Sequence, residues 1–93
     1  MRGEFYVLSN KILSKQVHSD AELDTQGLIC PEPLMLVRNK VRDLQVGDVL
    51  HVTATDPSTH RDFSNFCRFM GHELLQADVD REVLQYWIKK VGA

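Results

Sequence analysis

The sequence predicts a two-layer α/β (α+β) sandwich with element order β-α-β-α-β-β. Its sheet is expected to be mixed and four-stranded, with both helices on one face. Three observations lead there. Two segments carry apolar residues at helical spacing, two shorter ones alternate at strand spacing around them, and the chain closes on a pair of alternating runs joined by Asp80-Arg81. Two apolar helix faces need a sheet to cover. A right-handed β-α-β crossover makes the first two strands parallel, and the closing hairpin is antiparallel.

Leu23, Thr25 and the Gly27-Leu28-Ile29 run read as the first strand. After Cys30-Pro31-Glu32-Pro33, the residues Leu34, Val37, Val41 and Leu44 recur at helical spacing and share one face. Arg38, Lys40 and Arg42 fall on the exposed side, and Gly47 is the expected stop. Val49 to Thr55 is a β-branched run in which Leu50, Val52 and Ala54 share one side. Asp56-Pro57-Ser58 breaks it. Thr59 with Asp62 three residues on resembles a capping box. Phe63, Phe66, Cys67, Met70 and Leu74 form the second apolar stripe, with Gly71 near its end. Leu75, Ala77 and Val79 alternate, as do Leu84, Tyr86 and Ile88.

The chain has 93 residues, enough for one compact domain. Residues 1–20 show no sustained period and are expected to be a loosely ordered extension; residues 21–93 form the domain. The Phe5-Tyr6-Val7-Leu8 patch is too short for the apolar region of a signal peptide. No apolar run approaches the roughly 20 residues of a spanning helix. A net charge of −2 argues against stable nucleic-acid binding. The two cysteines are far apart and form no C-x-x-C pair, which fits a cytoplasmic protein rather than a disulfide scaffold. The four histidines and two cysteines show no metal-ligand spacing, and no cofactor is expected.

Chemistry therefore rests on very few side chains. Cys67 lies on an apolar stripe and reads as a small buried hydrophobe. Cys30 stands at a strand–helix junction outside any core stripe. Pro31 suits the first helical position and Pro33 the first turn, where N–H groups have no intrahelical partner. That places Cys30 at the N-cap, where the helix dipole favours a thiolate. The Glu32 N–H is the backbone donor left to meet the sulfur, while its carboxylate opposes a second anion, so a moderately depressed thiol pKa is expected. A dithiol enzyme wants a nearby resolving cysteine, and a cysteine hydrolase wants a histidine and a cleft. A sulfur-carrying persulfide needs only one accessible nucleophile.

Leu23-Asp24, Gly27-Leu28 and Cys30-Pro31-Glu32-Pro33-Leu34-Met35-Leu36-Val37-Arg38 resemble the TusA/SirA family. So do Asp56-Pro57-Ser58-Thr59, Arg61-Asp62, Phe66-Cys67, Phe69-Met70 and His72-Glu73-Leu74. The resemblance implies a sulfurtransferase that carries persulfide sulfur on Cys30. A cysteine desulfurase would be the donor and a downstream relay protein the acceptor, in a route ending in 2-thiolation of the wobble uridine of tRNA. Related members supply molybdenum cofactor synthesis or sulfur oxidation. The family fold is the same β-α-β-α-β-β sandwich. Ile29 replaces an arginine common before the family's cysteine, which removes a positive charge beside the thiol.

Around Cys30, Pro31, Glu32 and Pro33 set the helix start. Leu36 points away from the core and Met35 lies between the faces. With Arg38 they are candidates for partner docking by a monomer that forms transient complexes. His60 and Arg61 fall near the second helix start and are not assigned a catalytic role. Asp56 and Asp62 read as turn and cap residues rather than acid–base groups. The competing reading is a non-catalytic interaction module whose C-P-x-P only shapes a helix start.

Overall fold

The computed structural model describes residues 18–92. The Phe5–Leu8 patch and most of the expected extension lie outside them. Among the described residues, pairing to the sheet begins at Asp20, whose N–H donates to the Val49 carbonyl (2.8 Å) and whose carboxylate accepts the Val49 N–H (2.9 Å).

Among the described residues six elements follow in the expected order: β1 (Ala21–Thr25), α1 (Glu32–Asp43), β2 (Val49–Ala54), α2 (Thr59–Met70), β3 (Glu73–Asp78) and β4 (Leu84–Lys89). The sheet runs β1-β2-β4-β3. β1 is parallel to β2, and β4 is antiparallel to both β2 and β3. β4 thus fills the gap between the two strands that α2 connects, and the sheet is mixed.

Alternation on the central strands decides where the core sits. Leu50 pairs with Ile88, Val52 with Tyr86 and Ala54 with Leu84, all buried on one face. Val37 and Val41 of α1 and Phe63, Phe66 and Cys67 of α2 complete that core, so both helices cover the same face. Opposite, His51 stacks on Trp87 at 4.7 Å between ring centroids and hydrogen-bonds Gln85.

Four local expectations are corrected. β1 stops at Thr25, because Gly27 turns the chain with φ +85° and Leu28 N–H folds back onto the Thr25 carbonyl. The Gly27-Leu28-Ile29 run is therefore a loop. α1 ends at Asp43, and Gly47 (φ +100°) instead shapes the turn into β2. α2 ends at Gly71 (φ +76°), where His72 N–H closes onto the Cys67 carbonyl, a left-handed stop that only glycine adopts freely. Leu74 consequently belongs to β3, and Met70 is exposed. Finally, Leu74 pairs with Ile88 and Gln76 with Trp87, leaving Leu75 without a partner. This β-bulge resets the alternation. It turns Leu74 and Ala77 toward the core and leaves Leu75 exposed, whereas simple period-2 reading put Leu75 with Ala77.

Candidate active site

β1 and β2 are parallel neighbours, so the loops leaving their C-terminal ends meet at one edge of the sheet. That is where parallel α/β sheets commonly place their sites. The β1–α1 loop brings Cys30 and the β2–α2 loop brings Asp56, Ser58 and the start of α2. Gly27 N–H donates to Thr55 Oγ1 (2.9 Å) and ties the two loops together.

Asp56 organises the junction. One carboxylate oxygen accepts the Cys30 N–H at 2.7 Å. The other accepts the Ser58 N–H and hydroxyl, each at 3.0 Å. The N–H groups of Ser58 and then Cys30 hold the Asp56 carboxyl below the usual range. The Asp56 carbonyl accepts Thr59 Oγ1 at 2.7 Å, and the same hydroxyl, fully buried, meets Tyr86 OH at 2.8 Å. A chain of hydrogen bonds thus runs from β4 in the core, through Thr59 and Asp56, to the backbone of Cys30. Asp56 has a turn role, as expected, and also fixes the loop of the candidate nucleophile.

α1 begins one residue later than its sequence suggests. Pro31 is the N-cap, with non-helical φ −100° and ψ 13°, and Glu32 is the first helical residue. Cys30 sits one position before the cap. The reason is local: Glu32 N–H is taken by the Ile29 carbonyl at 2.9 Å, and Asp56 takes the Cys30 N–H. The expected Glu32 donor therefore does not face the sulfur. Pro33 is fully buried and anchors the helix start to the domain, while Pro31 and Glu32 are exposed.

The sulfur itself meets a carboxylate. Cys30 Sγ donates to Asp62 Oδ2 at 3.2 Å. Asp62 is not the second half of a capping box, because Ser58 rather than Thr59 is the N-cap and makes no side-chain cap bond. Its other oxygen accepts Arg61 Nε at 3.3 Å. The hydrogen bond to Asp62, then desolvation, pushes the Cys30 thiol up, with a smaller opposing contribution from Ser58. This reverses the expected depression. The sulfur meets a carboxylate, and the Glu32 N–H expected to meet it is engaged by the Ile29 carbonyl.

Cys30 is exposed and Cys67 is buried, 3% accessible. Burial pushes the Cys67 thiol up to about 11. Native protein treated with excess iodoacetamide is therefore expected to gain a single adduct, on Cys30, and a second only after denaturation. Intact mass reads this directly.

The three docking candidates are exposed but divided. Met35 and Leu36 border a shallow groove of ≈ 210 Å³ with Leu28 and Glu32. Arg38 faces the other side of α1, where it lines a trough of ≈ 380 Å³ with Asp62, Phe69 and Met70. A second hollow of ≈ 280 Å³ shares Arg38, Phe66 and Met70 and adds Arg42, His72 and Lys90. The inter-helix surface is thus apolar at its middle, basic at one end, and reaches the thiol's partner Asp62 at the other. Phe69, 91% accessible, is the most exposed large apolar side chain among the described residues and was not singled out by spacing.

The described residues thus form a small α/β domain that presents one exposed thiol where two parallel β-α junctions meet. The model for the family described as Sulfurtransferase TusA matches residues 21–90, and the chain belongs to that family. The sulfur carrier protein TusA of Pseudomonas syringae pv. syringae is 55% identical over 71 residues, 76% of this chain and 84% of that protein. The sulfur carrier protein TusA of Pseudomonas paraeruginosa has the same identity over 90% of its length. In fold, the crystal structure of a SirA-like protein from Desulfitobacterium hafniense superposes with a TM-score of 0.67 at 19% identity, covering 76% of this chain and 97% of that one.

Proposed function

We propose that this chain is a cytoplasmic sulfur carrier. Cys30 accepts persulfide sulfur from a cysteine desulfurase and passes it to a relay protein, for 2-thiolation of the wobble uridine of tRNA. The observation that carries the reading is the exposed Cys30 thiol held at the meeting of two loops, in a chain whose other thiol is buried. The Cys30 thiolate attacks the outer sulfur of the donor's persulfide, the donor S–S bond breaks, and the donor cysteine leaves as its thiolate. Sulfur moves without net oxidation, so no cofactor is needed.

Partners complete the site. Exposed apolar side chains lie on both sides of α1, Met35 and Leu36 on one, Phe69 and Met70 of α2 on the other. Arg38 and Arg42 add positive charge that suits an acidic rim on a transiently bound protein. Ile29, 71% accessible, offers the partner an apolar contact where many relatives are expected to carry a cation.

The relay is tested in a bacterial strain lacking its own carrier. Expression of this protein is expected to restore 2-thiouridine-type nucleosides in tRNA digests. Sulfur loading without restored thiolation would redirect the reading to another sulfur pathway, such as molybdenum cofactor synthesis or sulfur oxidation. Absence of both would leave an interaction module.

A further inference from the structure

We propose that Asp62 is a proton latch on Cys30: its carboxylate holds the thiol protonated while the carrier is empty and cannot hold the persulfide once sulfur is loaded. The proposal rests on the sulfur-carrier reading and adds a residue and a state dependence to it.

The geometry is specific. Sγ lies 3.2 Å from Asp62 Oδ2, and an ionised carboxylate can only accept. The contact therefore requires the proton on sulfur. A thiolate in the same place would set two anions in contact, in a part-buried position where the Asp62 side chain is only 14% accessible. Among the described residues, carboxylates stand on three elements around Cys30, and two arginines lie near Asp62. Asp62 comes from α2, Asp56 from the β2–α2 loop through the Cys30 N–H, and Glu32 from the start of α1. The cations are Arg61, which binds the far oxygen of Asp62 and is 68% accessible, so solvent screens it, and Arg38 of α1, which lines the same trough as Asp62. The position before the cysteine, Ile29, supplies no charge. Asp62 has no competing capping role, since α2 is capped at Ser58 without a side-chain bond. The raised pKa of Cys30 has the same cause.

Two consequences follow for the transfer step. Cys30–S–H and the donor's persulfide anion become the Cys30 persulfide anion and the donor's protonated cysteine. The Cys30–sulfur bond forms, the donor S–S bond breaks, and the Cys30 proton ends on the donor sulfur. Before transfer, Asp62 makes the free carrier a poor nucleophile toward adventitious electrophiles. A partner that places a cation on Asp62 releases the thiol, and Asp62 is reachable because it lines the inter-helix trough beside Arg38. After transfer, the new anion has no proton to give, so Asp62 and Asp56 repel it outward, toward the acceptor.

The test is the pH profile of iodoacetamide alkylation, followed by intact mass, on the full-length protein with no desulfurase present. The wild-type midpoint is expected above that of a short cysteine peptide under the same conditions. Asp62→Asn is expected to lower the midpoint and to speed alkylation severalfold near neutral pH, while Asp62→Glu stays close to wild type. A wild-type midpoint at or below the peptide's, or coincident wild-type and Asp62→Asn profiles, overturns the latch. If Asp62→Asn unfolds, a second adduct on Cys67 reveals it, and the wild-type comparison with the peptide decides alone. Because no sulfur donor is used, failure of the latch is distinguishable from failure of the carrier role.

Discussion

Phe63→Ala is expected to destabilise the fold by about 3–5 kcal/mol, the range for truncating a fully buried phenylalanine. Phe63 is fully buried and meets Tyr86 edge-on, with ring centroids 4.8 Å apart and planes at 79°. It joins α2 to the central strand β4. A small domain has about 5–15 kcal/mol in total, so this one change removes a large fraction. The loss also reaches the site, because the Thr59–Tyr86 bond that steadies Asp56 depends on the same contact between α2 and β4. Phe69→Ala, on the same helix, is the control: a 91% accessible side chain is expected to shift stability by no more than about 0.5 kcal/mol. Urea unfolding of the two variants reads both values. Equal effects would contradict the packing of α2 on the sheet.

Cys30→Ser is expected to abolish sulfur loading while leaving stability within about 0.5 kcal/mol of wild type, since the position is exposed. The hydroxyl keeps a donor for Asp62, so the loops are held as before, but an alcohol forms no persulfide. Cys67→Ser is expected to do the opposite. It places a hydroxyl in an apolar pocket beside Phe63 and Phe66, at a cost of about 1–3 kcal/mol if unpaired, and it leaves loading intact. Circular dichroism for stability and labelled-sulfur transfer for loading separate the two. Loss of loading in Cys67→Ser while folded would place the reactive thiol wrongly.

Most of the fold was legible because the apolar periods are strong. Val37 and Val41, Phe63 with Phe66 and Cys67, and Leu50 with Val52 and Ala54 each mark one face, and a right-handed crossover then leaves few topologies. The β-bulge at Leu75 was not legible, since period-2 alternation carries no sign of an inserted residue. Nor was the insertion of β4 between β2 and β3, because the sequence names a hairpin but not its position in the sheet.

The candidate nucleophile was legible from C-P-x-P, but its electrostatics were not. Reasoning along the chain sees Pro31, Glu32 and the helix dipole. It does not see Asp56 and Asp62, which lie 26 and 32 positions away and meet Cys30 only through the sheet. The parallel pairing of β1 and β2 was the available signal, because it brings both following loops to one edge. Taken further, it would have set the two carboxylates beside the thiol. The surface split of Met35 and Leu36 from Arg38 follows from helix geometry, whereas the exposure of Phe69 depends on where α2 ends.

The central claim is that Cys30 carries the sulfur, and the most direct measurement is where the sulfur sits. The protein is incubated with a cysteine desulfurase and cysteine, its intact mass is taken without reductant, and the modified peptide is mapped. The account predicts a gain of one sulfur atom, located on Cys30 and removed by dithiothreitol. No added sulfur, or sulfur on Cys67, would contradict it.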